Sequence, residues 1–107
     1  MLPKEKRLNL KTDFKRVASG KKLNSQYLTL FLKPAEILKI GIATSSKNFK
    51  KAHERNRARR ITSAAFEKIY QDLLDIEIIA LPKSPILDVK SNTVTDDLKS
   101  LLKDYLK

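Results

Sequence analysis

The residues best suited to chemistry lie in one cationic segment, whose densest part reads KKAHERNRARR over residues 50–60. Residues 47–60 carry seven Lys or Arg side chains and one acid, Glu54. Guanidinium groups bind phosphates through paired N–H donors and stack on unpaired bases. A charged face that is merely solvated normally mixes acids with bases. A run with a single acid therefore indicates a polyanionic partner.

A helix through this segment would separate polar from apolar side chains. At about 100° per residue, an apolar stripe runs through Ala58, Ile61, Ala65, Ile69 and Leu73. The opposite face collects His53, Asn56, Arg59, Arg60 and Ser63. Arg57 lies on one flank of this face, and Arg55 lies nearer the apolar edge. The spacing predicts a helix that buries one side and presents cations on the other.

No other residue pattern indicates catalysis or metal binding by the protein. His53 is the sole histidine, and no acid is paired with it. We interpret it as a hydrogen-bonding contact to the polyanionic partner or as a bystander. The chain has no cysteine, which excludes disulfides, thiolate-bound zinc and iron–sulfur clusters. We expect no catalytic residue and no metal ion on the protein.

Size and charge distribution support a small binding protein. The chain has 107 residues and a net charge of +11, enough for one domain. Residues 1–22 and 47–60 each carry a net +6, whereas residues 61–107 carry −2, so we expect one basic face. The sequence shows neither a membrane span nor the apolar run of a signal peptide. We predict a cytoplasmic protein with a polyanionic partner, no membrane partner and no small-molecule substrate.

The elements that must position the cationic segment follow from hydrophobic spacing and turn residues. These predict helices over 9–20, 49–73 and about 94–105, and strands over 27–33, 38–44 and 76–81. Turn chemistry at Pro34-Ala35-Glu36 predicts a hairpin of the first two strands. The third strand is a nearly unbroken apolar run, which predicts a central position. The order α-β-β-α-β-α predicts an α+β sandwich, with helices packed on one small mixed sheet.

The ends of the predicted elements also carry signals. Asn9 or Thr12 would cap the first helix, and Gly20 would end it. Thr93 would cap the last helix, with Asp96 and Asp97 in its first turn. We expect residues 1–8 to be flexible and residues 1–107 to form a single domain that binds the polyanionic partner.

The run KAHERNRARRITSAAF at residues 51–66 resembles the signature of the bacterial ribonuclease P protein subunit. Asp13-Phe14, Gly41 and Lys47-Asn48 also fall where that family has them, and the resemblance covers about residues 7–104. It implies a ribosomal-protein-like α+β fold with a left-handed βαβ crossover, an exception to the usual handedness.

The resemblance also implies a function. In that family the RNA subunit and its Mg²⁺ carry out the cleavage, and the protein assists removal of the 5′ leader from precursor tRNA. The residues assigned to RNA binding are Lys47, Lys51, His53, Arg55, Asn56, Arg57, Arg59 and Arg60. A cleft between the first helix, the sheet and the basic helix would hold the single-stranded leader. Phe14 belongs to this cleft by its position, and Lys15 and Arg16 flank it.

Some positions depart from the family pattern, and alternatives remain open. Ala18 and Leu30 stand where aromatic residues are frequent, and Ser46 and Ser63 replace basic residues, which bears on base stacking and affinity. Phe14 fits a core position as well as a cleft. The alternative function is a non-catalytic ribosomal or other structured-RNA-binding protein, which would not require the Arg-Asn-Arg signature.

Overall fold

The computed structural model describes residues 2–107 as an α+β domain with a four-stranded mixed sheet and three α-helices. The helices are α1 (Leu10–Ala18), α2 (Ala52–Ile69) and α3 (Ser91–Leu101). The strands are β1 (Lys21–Asn24), β2 (Leu28–Pro34), β3 (Lys39–Ile42) and β4 (Ile76–Pro82). The predicted fold class is confirmed. The sheet contains one strand, β1, that hydrophobic spacing did not predict.

The strand order is β1-β2-β4-β3, which shows that the predicted hairpin is wrong. The strands β2 and β3 do not pair, because β4 lies between them, antiparallel to β2 and parallel to β3. The turn residues Pro34-Ala35-Glu36 indicate that the chain reverses direction, but they do not indicate that the strands on either side pair with each other. The apolar β4 takes the central position, as predicted, since both of its faces are covered there.

The hairpin in this sheet joins β1 to β2. The hydroxyl of Ser25 organises its turn by accepting the backbone N–H groups of Tyr27 and Leu28 at 3.2 and 3.1 Å. The strand β1 reads KKLN, and such a polar sequence suits an exposed edge strand. Because this strand is polar, hydrophobic spacing did not predict it. The unit β3-α2-β4 joins two parallel strands through a helix, and its left-handedness stays a prediction.

The sheet has helices on both faces. On one face, β2 and β4 contribute Leu30, Ile78 and other buried side chains to the main core beneath α2 and α3. On the other face, Val17 of α1 packs with Ile79 of β4 and Leu8 in a smaller cluster. Consecutive residues Ile78 and Ile79 enter opposite clusters because side chains alternate along a strand.

Residues 2–8 pack against the rest of the domain, while Met1 lies outside the described residues; the expected flexibility of residues 1–8 stays a prediction. Leu2 and Leu8 are buried. The backbone N–H of Leu8 donates to the carbonyl of Ile40 at 3.0 Å, and Arg7 forms a parallel bridge with Ile40. The edge strand β3 offers unpaired backbone groups, and this segment satisfies part of them.

The helix-end predictions have mixed outcomes. The Asn9 side chain accepts the N–H of Lys11 at 3.1 Å and caps α1, which ends just before Gly20. Thr93 is not a cap, because α3 begins two residues earlier, at Ser91. Consequently Asp96 and Asp97 lie beyond its first turn, and the carboxylate of Asp97 accepts the hydroxyl of Ser25 instead.

Candidate nucleic-acid interface

The helix α2 buries one side and exposes a cationic side, as predicted. Its buried residues are Ala58, Thr62, Ala65, Phe66 and Ile69. Its exposed residues in the first half include His53, Asn56, Arg57, Arg59 and Arg60. Ile61 is only partly buried, so the stripe is centred nearer Thr62, whose hydroxyl donates to the Ala58 carbonyl at 2.8 Å. The polar atoms of five neighbouring side chains are thus available at one surface.

The acid within the cationic segment serves the helix itself. The Glu54 carboxylate accepts the backbone N–H of Lys51 at 3.3 Å, at the N-terminus of α2. A carboxylate at this end also complements the helix dipole. Lys50 and Lys51 lie at the same end of the helix, where the dipole disfavours cations, and the negative charge of Glu54 offsets this repulsion. The side chains of Lys47 and Lys51 are exposed in and beside the loop that enters α2.

Arg55 holds that entering loop in place. Its Nη1 donates to the Phe49 carbonyl at 2.8 Å and to the Lys50 carbonyl at 3.3 Å. Phe49 is buried in the main core, so this arginine connects the basic helix to an anchored loop. Its assignment to RNA binding stays a prediction, while its structural role is visible.

Arg16 is engaged in a similar way. Its guanidinium binds both carboxylate oxygens of Glu77 and lies 3.1 Å from Oδ1 of Asp13. The hydrogen bond with Glu77, followed by that with Asp13, raises the pKa of Arg16 further above its already high value. The hydrogen bond from Arg16 lowers the pKa of Glu77, against an opposing effect of burial. Lys15 is exposed beside it and has no such partner among the described residues.

A groove of about 560 Å³ crosses the edge of the sheet between the N-terminal segment, β3 and the first half of α2. We call it the edge groove. Its lining residues are Leu2, Arg7, Leu8, Leu10, Ile40, Gly41, Ile42, Asn56, Arg59, Arg60 and Ser63. Three of them, Asn56, Arg59 and Arg60, belong to the set assigned to RNA binding. The N-terminal side of the groove was missed because that segment was expected to be flexible.

A second hollow of about 350 Å³, here called the Phe14 cleft, lies at the C-terminal ends of β3 and β4. It is lined by Phe14, Ala43, Thr44, Ser45, Asn48, Leu81 and Pro82. Arg59 of the edge groove donates from Nη2 to the hydroxyl of Thr44 at 3.3 Å. The two hollows are therefore neighbours, connected through this hydrogen bond.

Phe14 is partly buried and belongs to both a core and a cleft. It packs against the smaller apolar cluster together with Phe31, and it also lines the Phe14 cleft. The two interpretations of this residue are compatible, since the same side chain packs against the cluster and lines the hollow.

Phe31 is an aromatic residue that sequence reasoning missed. It lies on the α1 face of the sheet, partly buried, with Nζ of Lys22 5.9 Å from its ring centroid. Leu30, which stands where aromatics are frequent, is fully buried on the opposite face. The alternation along β2 was the available signal, because Leu28, Leu30 and Leu32 mark one face and leave Phe31 on the other.

Two global properties complete the description of residues 2–107. No three side chains of His, Cys, Asp or Glu come together there in a way that could hold a metal ion. No helix within this range has the length and apolarity needed to cross a membrane.

Comparisons with known proteins identify a family that matches nearly the whole chain. The family model described as Ribonuclease P matches residues 2–106. The ribonuclease P protein component of Coprothermobacter proteolyticus is 31% identical over 100 residues, covering 92% of this chain and 83% of that protein. That of Sodalis glossinidius is 28% identical over 69 residues, covering 64% of this chain. The match spans only 58% of the length of the Sodalis protein.

Solved structures show the same fold. The ribonuclease P protein of Thermotoga maritima superposes with a TM-score of 0.80 at 25% identity, covering 94% of this chain and 98% of that one. The Staphylococcus aureus protein superposes with a TM-score of 0.77 at 21% identity, covering 92% and 94%. Because one family model spans nearly all described residues, and a relative that is 31% identical covers most of the chain, this chain belongs to the ribonuclease P protein family.

Proposed function

We propose that this chain is the protein subunit of ribonuclease P, which binds the catalytic RNA and the 5′ leader of precursor tRNA and assists removal of the leader. The observation that carries the proposal is the exposed cationic half of α2, adjacent to two hollows of different character. Family membership supports the same assignment.

The first half of α2 has the chemistry to bind structured RNA. Arg57, Arg59 and Arg60 are exposed within four residues, and arginine suits two-point contacts with phosphates. The exposed side chains of Lys47 and Lys51 extend this cationic surface along the entering loop. Because the opposite side of the helix is buried, the backbone that carries these groups loses little conformational freedom on binding.

The Phe14 cleft has the chemistry to hold an unpaired strand. An aromatic side chain borders it, Asn48 and Thr44 supply polar groups, and Lys15 is exposed on the same helix as Phe14. Single-stranded nucleic acids bind where cations follow the backbone and aromatic rings stack on bases. This combination supports leader binding at the cleft, with Phe31 as a second aromatic on the same face of the sheet.

Hydrolysis is assigned to the RNA subunit with its bound Mg²⁺. The residues of the interface are phosphate-binding cations, an amide and an exposed histidine. They would supply binding and orientation, while Mg²⁺ held by the RNA would provide the activation of water and the stabilisation of charge on phosphate oxygens. The protein's contribution would be affinity for substrate and for the RNA.

The test is reconstitution. Purified protein is added to a bacterial ribonuclease P RNA and precursor tRNA, at physiological Mg²⁺, and cleavage at the mature 5′ end is followed. Cleavage that is faster than with RNA alone supports the proposal. The double variant Arg57→Glu/Arg60→Glu should lose the stimulation, while the charge-matched Lys99→Glu/Lys103→Glu on exposed sites in and beyond α3 should retain it.

Two results would contradict the proposal. One is protein that binds RNA without stimulating cleavage, which would favour a non-catalytic structured-RNA-binding protein. The other is site-specific cleavage by RNA-free protein that survives nuclease treatment, which would place the active site on the protein.

A further inference from the structure

In the edge groove an apolar floor meets a polar, cationic wall. Leu10, Ile42 and neighbouring aliphatic side chains form the floor, whereas Asn56 and Arg60 stand on the wall formed by α2. The volume of about 560 Å³ falls in the range of sites for organic ligands. The groove therefore offers both a surface for a flat apolar ring and groups for an anion.

The shape of the groove is set before any ligand binds. The N-terminal segment is attached to β3 by the hydrogen bond from Leu8 to Ile40, of 3.0 Å. Gly41 allows that segment to lie close, since a Cβ there would be 2.7 Å from Cδ2 of Leu10. On the opposite wall, Arg59 is held by Thr44. A preformed site loses little entropy on binding.

Three polar side chains of the wall have no partner within residues 2–107. Asn56, Arg60 and Ser63 make no side-chain hydrogen bond or ion pair there. Their donors and acceptors face the groove and solvent, where an incoming polar molecule can bind them. Two neighbouring arginines, by contrast, hold protein groups: Arg55 donates to the Phe49 carbonyl, and Arg59 donates from Nη2 to the Thr44 hydroxyl, which leaves the other N–H groups of Arg59 for a ligand.

These groups match one nucleotide of an RNA strand. An aliphatic floor accepts the face of an unstacked base, a side-chain amide matches the hydrogen-bonding edge of adenine, and adjacent guanidinium groups bind a phosphate. A paired, stacked base could not reach the floor. We propose that the edge groove binds one unstacked adenine nucleotide of the RNA partner, with Asn56 at the base and Arg59 and Arg60 at the phosphate. The inference rests on the proposed function, since it takes RNA as the partner.

The test uses short probes with the free protein. The pentanucleotides 5′-UUAUU-3′ and 5′-UUUUU-3′, and AMP as the free nucleotide, are titrated into isotopically labelled protein while backbone amide resonances are recorded. The adenine-containing strand should shift the amides of Gly41, Asn56 and Ser63, and should bind at least about fivefold more tightly than the uridine strand. Binding of phosphates elsewhere on the basic surface affects both strands equally, so the preference is the informative quantity.

Two variants examine the geometry. Asn56→Leu, at an exposed position, should reduce the preference for adenine to about onefold, because the amide that distinguishes the two bases is lost. Ser63→Phe should fill the groove and remove the shifts, while the matched Ser100→Phe on the exposed surface of α3 should keep them. If Ser63→Phe fails to fold, Asn56→Leu alone decides.

Each result supports or overturns the inference. Equal affinity for the two strands, or shifts confined to other surfaces, would overturn it. AMP binding as tightly as the adenine strand would assign the groove to a free nucleotide and overturn the RNA assignment. The proposed function is measured separately by the reconstituted cleavage, which survives if only the groove assignment fails.

Discussion

Arg16 of α1 and Glu77 of β4 form a two-point ion pair, with Nη2 2.8 Å from Oε2 and Nη1 bound to Oε1. Glu77 is 7% exposed and lies on the central strand, on the face that α1 covers. A buried carboxylate is costly unless it is paired and hydrogen-bonded. The pair therefore fixes α1, and with it Phe14, over the sheet.

Replacing Arg16 should destabilise the protein more than replacing its exposed neighbour. Arg16→Met leaves the Glu77 carboxylate without its cation, so Tm should fall by about 4 °C or more. Lys15→Met removes a cation of the same helix that has no such partner, and serves as the control. Thermal unfolding followed by circular dichroism measures both. Equal Tm values would show that the ion pair does not stabilise the fold.

The same pair predicts a pH dependence. The hydrogen bond from Arg16 lowers the pKa of Glu77 in the folded state, so the pair contributes stability above the ordinary glutamate pKa of about 4.3. That contribution is lost as the pH falls through the lowered value. The Tm difference between wild type and Glu77→Gln should be constant near neutrality and shrink below about pH 4. A difference that stays constant down to about pH 3 would contradict this linkage.

The two glycines should differ in their tolerance of alanine. At Gly20 an added Cβ would be 2.1 Å from the backbone oxygen of Leu32, whereas at Gly41 the nearest atom is Cδ2 of the flexible Leu10 side chain. Gly20→Ala should therefore cost more than the roughly 1–3 kcal/mol typical of overpacking, which we expect for Gly41→Ala. Urea denaturation measures both. In a double-mutant cycle, Gly41→Ala should cost less free energy of unfolding when Leu10 is already Ala than when Leu10 is present, and an equal cost would exclude this clash as the cause.

Binding to the catalytic RNA should depend steeply on salt. The double variant Arg57→Ala/Arg60→Ala should weaken binding and reduce the slope of log affinity against log salt by about 0.7–0.9 for each phosphate that is no longer neutralised. Filter binding over a series of salt concentrations provides the slopes. Lys99→Ala/Lys103→Ala is the control of equal charge. Identical slopes for all three proteins would move the RNA site away from α2.

Phe14 should discriminate precursor from mature tRNA. Phe14→Leu keeps apolar bulk against Phe31 but removes a stacking surface worth about 1–3 kcal/mol per base. The assembled complex should lose affinity for tRNA with a single-stranded leader and keep its affinity for mature tRNA. The Tm of the variant is the control for packing. Equal losses for both substrates would leave Phe14 with a packing role alone.

Several features depend only on residues that are close together in the sequence. The helical spacing of Ala58, Ala65 and Ile69 was enough to orient α2, because a helix that must bury one side leaves the other side to solvent. The apolar run of β4 was enough to place it at the centre of the sheet. The Asn9 cap could be predicted because capping involves only neighbouring residues. The Arg-Asn-Arg signature is also a run of neighbouring residues, so the sequence alone was enough to indicate the family.

Other features depend on contacts between distant segments, and only the tertiary structure decided them. The strand β4 lies between β2 and β3 because its two edges pair with these two strands. The sequence of a single strand does not indicate which other strands will pair with its edges. The attachment of Leu8 to Ile40 makes the N-terminal segment one wall of the edge groove. The binding of Arg16 to Glu77 joins residues 61 positions apart. Composition and periodicity describe which faces are apolar, whereas pairing of a buried charge depends on the position of its partner in three dimensions.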